Sequence, residues 1–250
     1  EYFEESFPVK PRRISVEEML KVKKETLVEF IRTAFGQEII ESKKPTIVVY
    51  GHGSYHHYTY GLCRVLATRR SEDFAYIHID QHHDMWKLYG DSVDCSRFVQ
   101  LIVEDCSLSH ALLIGNKNEY KIPKRFISEI KNKLYSQVPV NELKKNLEKK
   151  LYNALKKLPD DVYISFDLDV MNKSEIQTGW PGGELIREEI LQCIRVIKSK
   201  KNIIGVDILG WSVDFEENRE RPEYQQSLQS EMAQKSLSLY AAIVSEIMGL

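Results

Sequence analysis

The chain has no closely spaced cysteine pair, no apolar run of membrane length and no excess charge of either sign. Its four cysteines, Cys63, Cys95, Cys106 and Cys193, are scattered. That excludes a CxxC zinc ribbon or a disulfide framework and suits a reducing compartment, so a cytoplasmic protein is expected. The longest apolar stretches, 46–50, 111–114 and 203–206, fall far short of the roughly 20 residues that cross a bilayer. No membrane association is therefore expected, and the acidic residues 1–5 offer no apolar signal core. Thirty-five Lys and Arg against 37 Asp and Glu leave a formal charge of −2, so no basic field points to nucleic acid. What remains is a chain of 250 residues, 42% hydrophobic and 29% charged. That composition buries a large core without covalent staples.

Short apolar runs alternate with longer amphipathic ones. Segments 45–51, 74–80, 111–115, 161–167 and 202–207 are β-branched and apolar, as buried strands are. Between and around them the helical period runs over 16–35, 58–67, 95–103, 141–158, 187–197 and 227–247. Strand and helix in continuous alternation predict an α/β fold with a mainly parallel sheet and crossover helices. No Pro/Gly/Ser linker and no fixed-period repeat interrupts the chain, which predicts a single domain over 1–250. Residues 116–158 carry twelve Lys and Arg against four Glu and read as a Lys-rich helical insertion with a solvated surface. The same stretch could flank a site for an acidic or anionic partner. Residues 214–223 supply five carboxylates as a counterweight.

Three of the five expected strands end in aspartate: Asp80, Asp167 and Asp207. Ligands of open parallel sheets bind at the carboxyl ends of the strands, and a buried carboxylate there is costly unless a cation meets it. Asp207 by itself reads as a cap for the next helix. Asp80-Gln-His82-His83-Asp84 is different, because alternation along an extended segment turns Asp80, His82 and Asp84 to one side. Asp167-Leu-Asp169 repeats the device on another strand end. Four carboxylates and a histidine in one place require one or two divalent ions, and oxygen-rich ligation favours manganese over zinc. A third segment, Gly51 to Gly61, holds His52, His56 and His57 in a glycine-flanked strand-to-helix turn, from which one further ligand is expected.

These blocks resemble, in order and spacing, the ureohydrolase superfamily of arginases and agmatinases: Gly53 and His56 with Gly61, then Asp80-x-His82-x-Asp84, then Ser165-Phe-Asp167-x-Asp169. Gln177 to Gly183 resembles the Gly-Thr…Pro…Gly-Gly run of that family, and 202–209 its late strand. The resemblance implies a three-layer α/β/α sandwich and a binuclear manganese (Mn2+) centre. His56, Asp80, Asp84 and Asp167 would hold one ion, and Asp80, His82, Asp167 and Asp169 the other. It implies hydrolysis of a non-peptide C–N bond in a guanidino or amidino compound, with Asp169 or Asp84 relaying a proton to the departing amine. Relatives assemble as trimers or hexamers, so a homo-oligomer is among the expectations.

Two positions depart from the family. Gly210 stands where a glutamate pairs with the substrate guanidinium, and Asp214, Glu216 and Glu217 are candidates to replace that charge. Asp94 stands where the family has a catalytic-loop histidine; His83 or His57 could shuttle the proton instead, and Asp94 equally suits a helix cap. Both departures turn the expected substrate away from free arginine toward a guanidine on another carrier, such as an arginine-containing peptide yielding ornithine and urea. Two alternatives stand beside this one. A metal-dependent deacetylase or amidohydrolase would share the fold, and a catalytically silent binding protein would retain it.

Overall fold

The computed structural model describes residues 20–41, 45–68, 73–86, 92–106, 108–117, 134–180, 182–211 and 231–250. All five expected strands form. They are β2 (Thr46–Val49), β3 (Phe74–Ile79), β5 (Leu108–Ile114), β7 (Asp161–Asp167) and β8 (Asn202–Leu209). They join β6 (Leu134–Val138) in one six-stranded sheet of order β2-β8-β7-β3-β5-β6, in which every pairing is parallel. Two short strands, β1 (Val22–Lys23) and β4 (Ser92–Val93), pair antiparallel beside it.

The side-chain period of two sorts each strand between two cores. Ala75, Ile77 and Ile79 of β3, with Val162, Ile164 and Phe166 of β7, pack against α5 (Leu147–Leu155), α6 (Arg187–Lys198) and α7 (Glu231–Met248). Phe74, Tyr76 and Tyr163 face the other way, against α1 (Lys24–Glu41), α2 (Tyr58–Ala67) and α3 (Phe98–Asp105). Helices therefore cover both faces of a parallel sheet, giving the expected three-layer α/β/α sandwich. Gly61 lets α2 lie directly on α1, since a Cβ there would meet Ile31 Cγ1 at 2.6 Å. After β3 the chain runs outward to β5 and β6, then returns to β7 on the other side of β3. The strand order thus reverses between β3 and β7, and the carboxyl ends of those two strands flank the crevice where such sheets bind ligands.

The structure differs from the sequence reading in four places. The first helix begins at Lys24, while residues 16–19 lie outside the described residues. The helix expected from 95 begins at Phe98, because residues 95–97 form a turn. Of the expected helical insertion at 116–158, residues 118–133 lie outside the described residues. The remainder is not an appendage: β6 is the outer strand of the sheet, and the helix beyond is split into α4 (Val140–Leu143) and α5. The break falls at Asn146, whose side chain caps α5 by accepting a hydrogen bond from Lys149 N at 3.1 Å. Leu143, Leu151 and Leu155 are buried in the core beneath, and the lysines occupy the outer face.

Leu151→Ala discriminates between these two descriptions. A core position loses about 2–5 kcal/mol on such truncation, whereas a surface appendage changes by about 0.5 kcal/mol or less. Urea unfolding followed by far-ultraviolet dichroism should return the larger loss.

Candidate metal centre

Four chain segments leaving the carboxyl edge of the sheet converge at the β3–β7 crevice. Asp80 follows β3 directly, its amide donating to Ile114 O at 3.1 Å, which continues the sheet ladder one residue beyond the strand. Its carboxylate is buried. Oδ1 accepts the His82 amide at 2.6 Å and faces His82 Nδ1 at 3.3 Å. Oδ2 faces His56 Nδ1 and His78 Nε2, each at 3.3 Å. Asp84 Oδ2 stands 3.2 Å from His56 Nδ1, and Asp167 Oδ2 stands 3.4 Å from the same atom. Asp169 Oδ2 lies 3.0 Å from His82 Nδ1. All six residues expected as metal ligands, His56, Asp80, His82, Asp84, Asp167 and Asp169, are therefore brought together.

Local structure explains each placement. A single turn, Gly53–Tyr55, is capped by His52, whose Nδ1 accepts the Ser54 amide at 3.0 Å. That assigns His52 to the turn and delivers His56 to the site. His57 begins α2, buried with its ring edge-on to Tyr58 at 5.1 Å. Asp84 has φ +46, unique among the described non-glycine residues. This left-handed conformation is disfavoured for a side-chain-bearing residue and is held only where the surroundings enforce it. Here the Val99 amide fixes the Asp84 carbonyl at 3.1 Å. Asn116 straps the same loop through Nδ2, which donates to the carbonyls of Asp80 and His82. On the β7 side, Asp167 Oδ1 accepts the Asp169 amide at 3.0 Å, and Gly183 N donates to Asp169 O at 2.6 Å.

Beneath the ligands lies a buried polar floor. Ser165 and Asp207 are register partners on β7 and β8, so their side chains share a face. Asp207 accepts hydrogen bonds from Ser165 Oγ at 2.6 Å, Tyr163 OH at 2.7 Å and Thr59 Oγ1 at 3.2 Å. Since the Ser165 proton goes to Asp207, Ser165 Oγ is left to accept from His56 Nε2, 2.8 Å away. The Nε2 proton is thereby fixed and Nδ1 is turned into the site, the arrangement typical of a metal-binding histidine. Asp207 lies inside β8, which runs on to Leu209 and does not end at 207 as expected, and it supports His56 rather than capping a helix. The sequence reading names Ser165 only within the family block, without a role, and does not single out His78. Both precede an identified carboxylate by two residues on an extended strand, which is the signal that they share its face.

The electrostatics describe a site short of positive charge. Burial works against His56 ionising, but Asp167, Asp80 and Asp84 outweigh it and hold its pKa well above the usual value. For His82 burial is likewise outweighed, by Asp169 and Asp80, and the pKa is pushed up to about 12. Burial and then the charge of Asp80 raise Asp84 to about 6. Burial followed by Asp167 and Asp80 raises Asp169 well above the carboxylate range. His56 Nδ1, His78 Nε2, Asp80 Oδ2 and both Asp169 carboxylate oxygens are buried without a hydrogen-bond partner. Orphaned donor atoms of this kind, facing one another, fit divalent cations. Two groups are compact enough to hold one, His56–His78–Asp80 and Asp80–His82–Asp169, with Asp80 common to both.

The remaining expected residues lie at the margin. His83 is buried, its Nδ1 accepting the Met85 amide at 2.9 Å while Nε2 has no partner. Burial and then the charge of His78 depress its pKa to about 4. Asp94 is engaged locally, its Oδ1 accepting from Ser96 N and Oγ at 3.1 and 2.7 Å and its Oδ2 pairing with Arg97 at 2.9 Å. It closes the turn at 94–97 but does not cap α3, whose N-cap is Arg97 without a side-chain bond, so the expected capping role is not met. Asp214, Glu216 and Glu217 lie outside the described residues.

A scan of protein-family profiles matches the Arginase family over residues 13–247. The chain belongs to that family. Solved structures share its fold at low identity. A hypothetical agmatinase from Burkholderia thailandensis aligns with TM-score 0.67 at 19% identity, over 90% of this chain and 63% of that one. A Trypanosoma cruzi formiminoglutamase variant with Mn2+ aligns with TM-score 0.71 at 14% identity, over 93% and 73%. Helicobacter pylori arginase aligns with TM-score 0.63 at 14% identity, over 89% and 81%. The chain thus spans less than two thirds of the agmatinase's length. No curated protein sequence matches it.

Two outcomes follow from this geometry. Asp207→Asn places an amide where three hydroxyls now donate, loosening the His56 tautomer, so affinity for a divalent cation should fall about 10–100-fold, as for other supporting partners. Equilibrium dialysis measures it. Because His82 is protonated at neutral pH in the metal-free protein and must lose that proton to bind a cation, metal uptake should release protons and strengthen as pH rises. Calorimetry in two buffers of different ionisation enthalpy counts them, and zero release would contradict the described charge state.

Proposed function

We propose that this arginase-family chain is a binuclear manganese hydrolase that cleaves a C–N bond of a guanidino or amidino group. The observation that carries the reading is the sharing of Asp80 between two donor groups, one oxygen facing each. His56, Asp80, Asp84 and Asp167 would hold one ion, and Asp80, His82, Asp167 and Asp169 the other. A pair of such ions supplies a water activated for attack near neutral pH. The chain's own residues then manage the proton. Asp169, whose Oδ1 has no hydrogen-bond partner, would accept the proton of the attacking water and pass it to the departing amine, with Asp84 as the second candidate carboxylate. His83, buried with Nε2 unpartnered and its pKa depressed to about 4, is the candidate acceptor for that proton. The Asp94 carboxylate stays with Ser96 and Arg97.

The substrate class follows from a steric fact. Gly210 has φ +107, and a Cβ there would lie 2.3 Å from Asp167 Oδ1 and 2.7 Å from the Leu168 amide. No side chain, and hence no guanidinium-pairing glutamate, fits that position. Among the described residues, Trp180 is an aromatic group beside the site, 42% exposed and with its ring edge-on to His82 at 6.4 Å. An indole face takes a planar cation by stacking and cation–π attraction without a carboxylate. A guanidine reaching past Trp180 on a larger carrier suits this opening, and an arginine side chain within a peptide, hydrolysed to ornithine and urea, is the substrate we assign. The reading places one domain over residues 1–250 in the cytoplasm; among the described residues no helix is long and apolar enough to cross a membrane.

Elemental analysis of protein purified without chelator is the first test. Roughly two manganese per chain is expected for a site of this kind, lost in Asp80→Ala and Asp167→Ala, with urea released from peptidyl arginine only by the loaded wild type. One zinc per chain and turnover of acetyl-amines would instead establish a deacetylase. No metal after manganese loading would leave a binding protein on a hydrolase fold.

A further inference from the structure

We propose that a groove beginning at Trp180 holds the carrier of the guanidino group, and that Lys173 in it selects carriers with an acidic side chain flanking the arginine. The inference rests on the reading above and specifies its substrate. Trp180 belongs to two places at once. Its ring stands edge-on to His82, and its indole nitrogen lies 3.0 Å from where a Cβ on Gly53 would be. The same residue lines a groove of about 560 Å³ with Lys173, Ile176, Gln177, Thr178 and Met232, a volume within the range of small-ligand clefts. A chain that presents a guanidine beside Trp180 therefore has this groove as its continuation.

The walls of the groove are tied at both ends. At one end Lys235, one turn beyond Met232 on α7, donates to Ser174 O at 2.5 Å and pairs with Glu175 at 3.6 Å. At the other, Thr178 forms an antiparallel bridge with Trp211, and its Oγ1 donates to Trp180 O at 2.7 Å. Gly179 sits against His52, since a Cβ there would lie 2.3 Å from Nε2, so this wall rests on the turn that delivers His56. Ile176, which is buried, and Met232 make an apolar lining. Gln177 supplies amide groups that can bond a peptide backbone. The one charged side chain lining the groove among the described residues is Lys173. Its stem packs beside Gly182, where a Cβ would meet Lys173 Cγ at 2.6 Å. The neighbouring Glu175 carboxylate is taken by Lys235. An ammonium without a carboxylate, in a cleft with an apolar lining, complements an acidic group on the occupant and repels a basic one.

The probe is a set of short amidated peptides with one central arginine, flanked on both sides by glutamate, glutamine or lysine and carrying a neutral fluorophore. Fluorescence anisotropy with protein incubated with manganese should rank them in that order. Glutamate should bind about fivefold tighter than glutamine, the upper end for one exposed ion pair. Lys173→Glu, a change at an exposed position, should reverse the order. The same shifts should appear in KM for urea release with kcat nearly unchanged, because the contact acts equally on ground and transition states. Equal affinities across the set, or an order that Lys173→Glu leaves intact, would overturn the proposal. So would a gain confined to peptides in which the arginine itself ends in a free carboxylate. Urea release without flank preference would remove the groove and leave the hydrolase reading standing. Flank-dependent binding with no urea from any guanidine would keep the groove and overturn the hydrolase reading.

Discussion

The structure depends on the burial of four carboxylates, Asp80, Asp84, Asp167 and Asp169, in one crevice at the carboxyl edge of a parallel sheet. Two like charges about 4 Å apart repel by roughly 4 kcal/mol at an effective dielectric of 20, and solvent is not present to relieve it. Burial of this kind persists only with positive charge among the carboxylates. The protein supplies part of it in His56 and His82, both held well toward the charged form by their neighbours. The orphaned oxygens of Asp80 and Asp169 show that the histidines do not complete the balance. A cation shared through Asp80 would, because it offers charge and coordination at once.

Such a cluster must be held from outside, and the holding is done by two different means. Above, backbone bonds constrain the loop that carries Asp80, His82 and Asp84: Lys117 N donates to Gln81 O at 3.0 Å and Val99 N to Asp84 O at 3.1 Å. These bonds keep Asp84 in its left-handed conformation, so that conformational strain is stored where a ligand is aimed. Below, the hydroxyls of Ser165, Tyr163 and Thr59 converge on Asp207 and through Ser165 orient His56. Burial raises the Asp207 pKa while these donors oppose it. A fully donated carboxylate of this sort is rigid, because rotating it would strand three buried hydroxyls. The apolar cores on both faces of the sheet fix the strands on which all of this stands.

Much of this was legible in the sequence because its signals are local. Alternation within 80–84 and within 167–169 reports which side chains share a side, and the strand ends report where that side lies. What was not legible joins distant segments. Asp207 reads as a cap when its partners are unknown, and Ser165, Tyr163 and Thr59 lie 42, 44 and 148 residues away. The edge strand β6 was lost because its outward positions are polar, Gln137 being exposed while Val138 is buried, and it sits inside a lysine-rich stretch whose charge dominates the pattern. His78 escaped for the opposite reason. It sits in an apolar strand, where a histidine reads as a tolerated core residue until the neighbouring strand and helix show what it faces.

Glycine explains why a family member with these ligands can differ in what it recognises. Gly210 N donates to Gly51 O at 2.8 Å, which draws the exit of β8 against the turn after β2 and brings the Gly210 Cα beside the Asp167 carboxylate. That approach fixes Asp167 from behind and removes the room for a side chain at 210 in the same act. Gly53 does the corresponding work on the other side, since a Cβ there would lie 3.0 Å from both Asp167 Oδ2 and the Trp180 indole nitrogen. The Asp167 carboxylate is therefore approached by bare backbone on two sides, with the Trp180 ring beside Gly53 among the described residues. On the proposed reading, selectivity would be set at Trp180 and not by a side chain at 210.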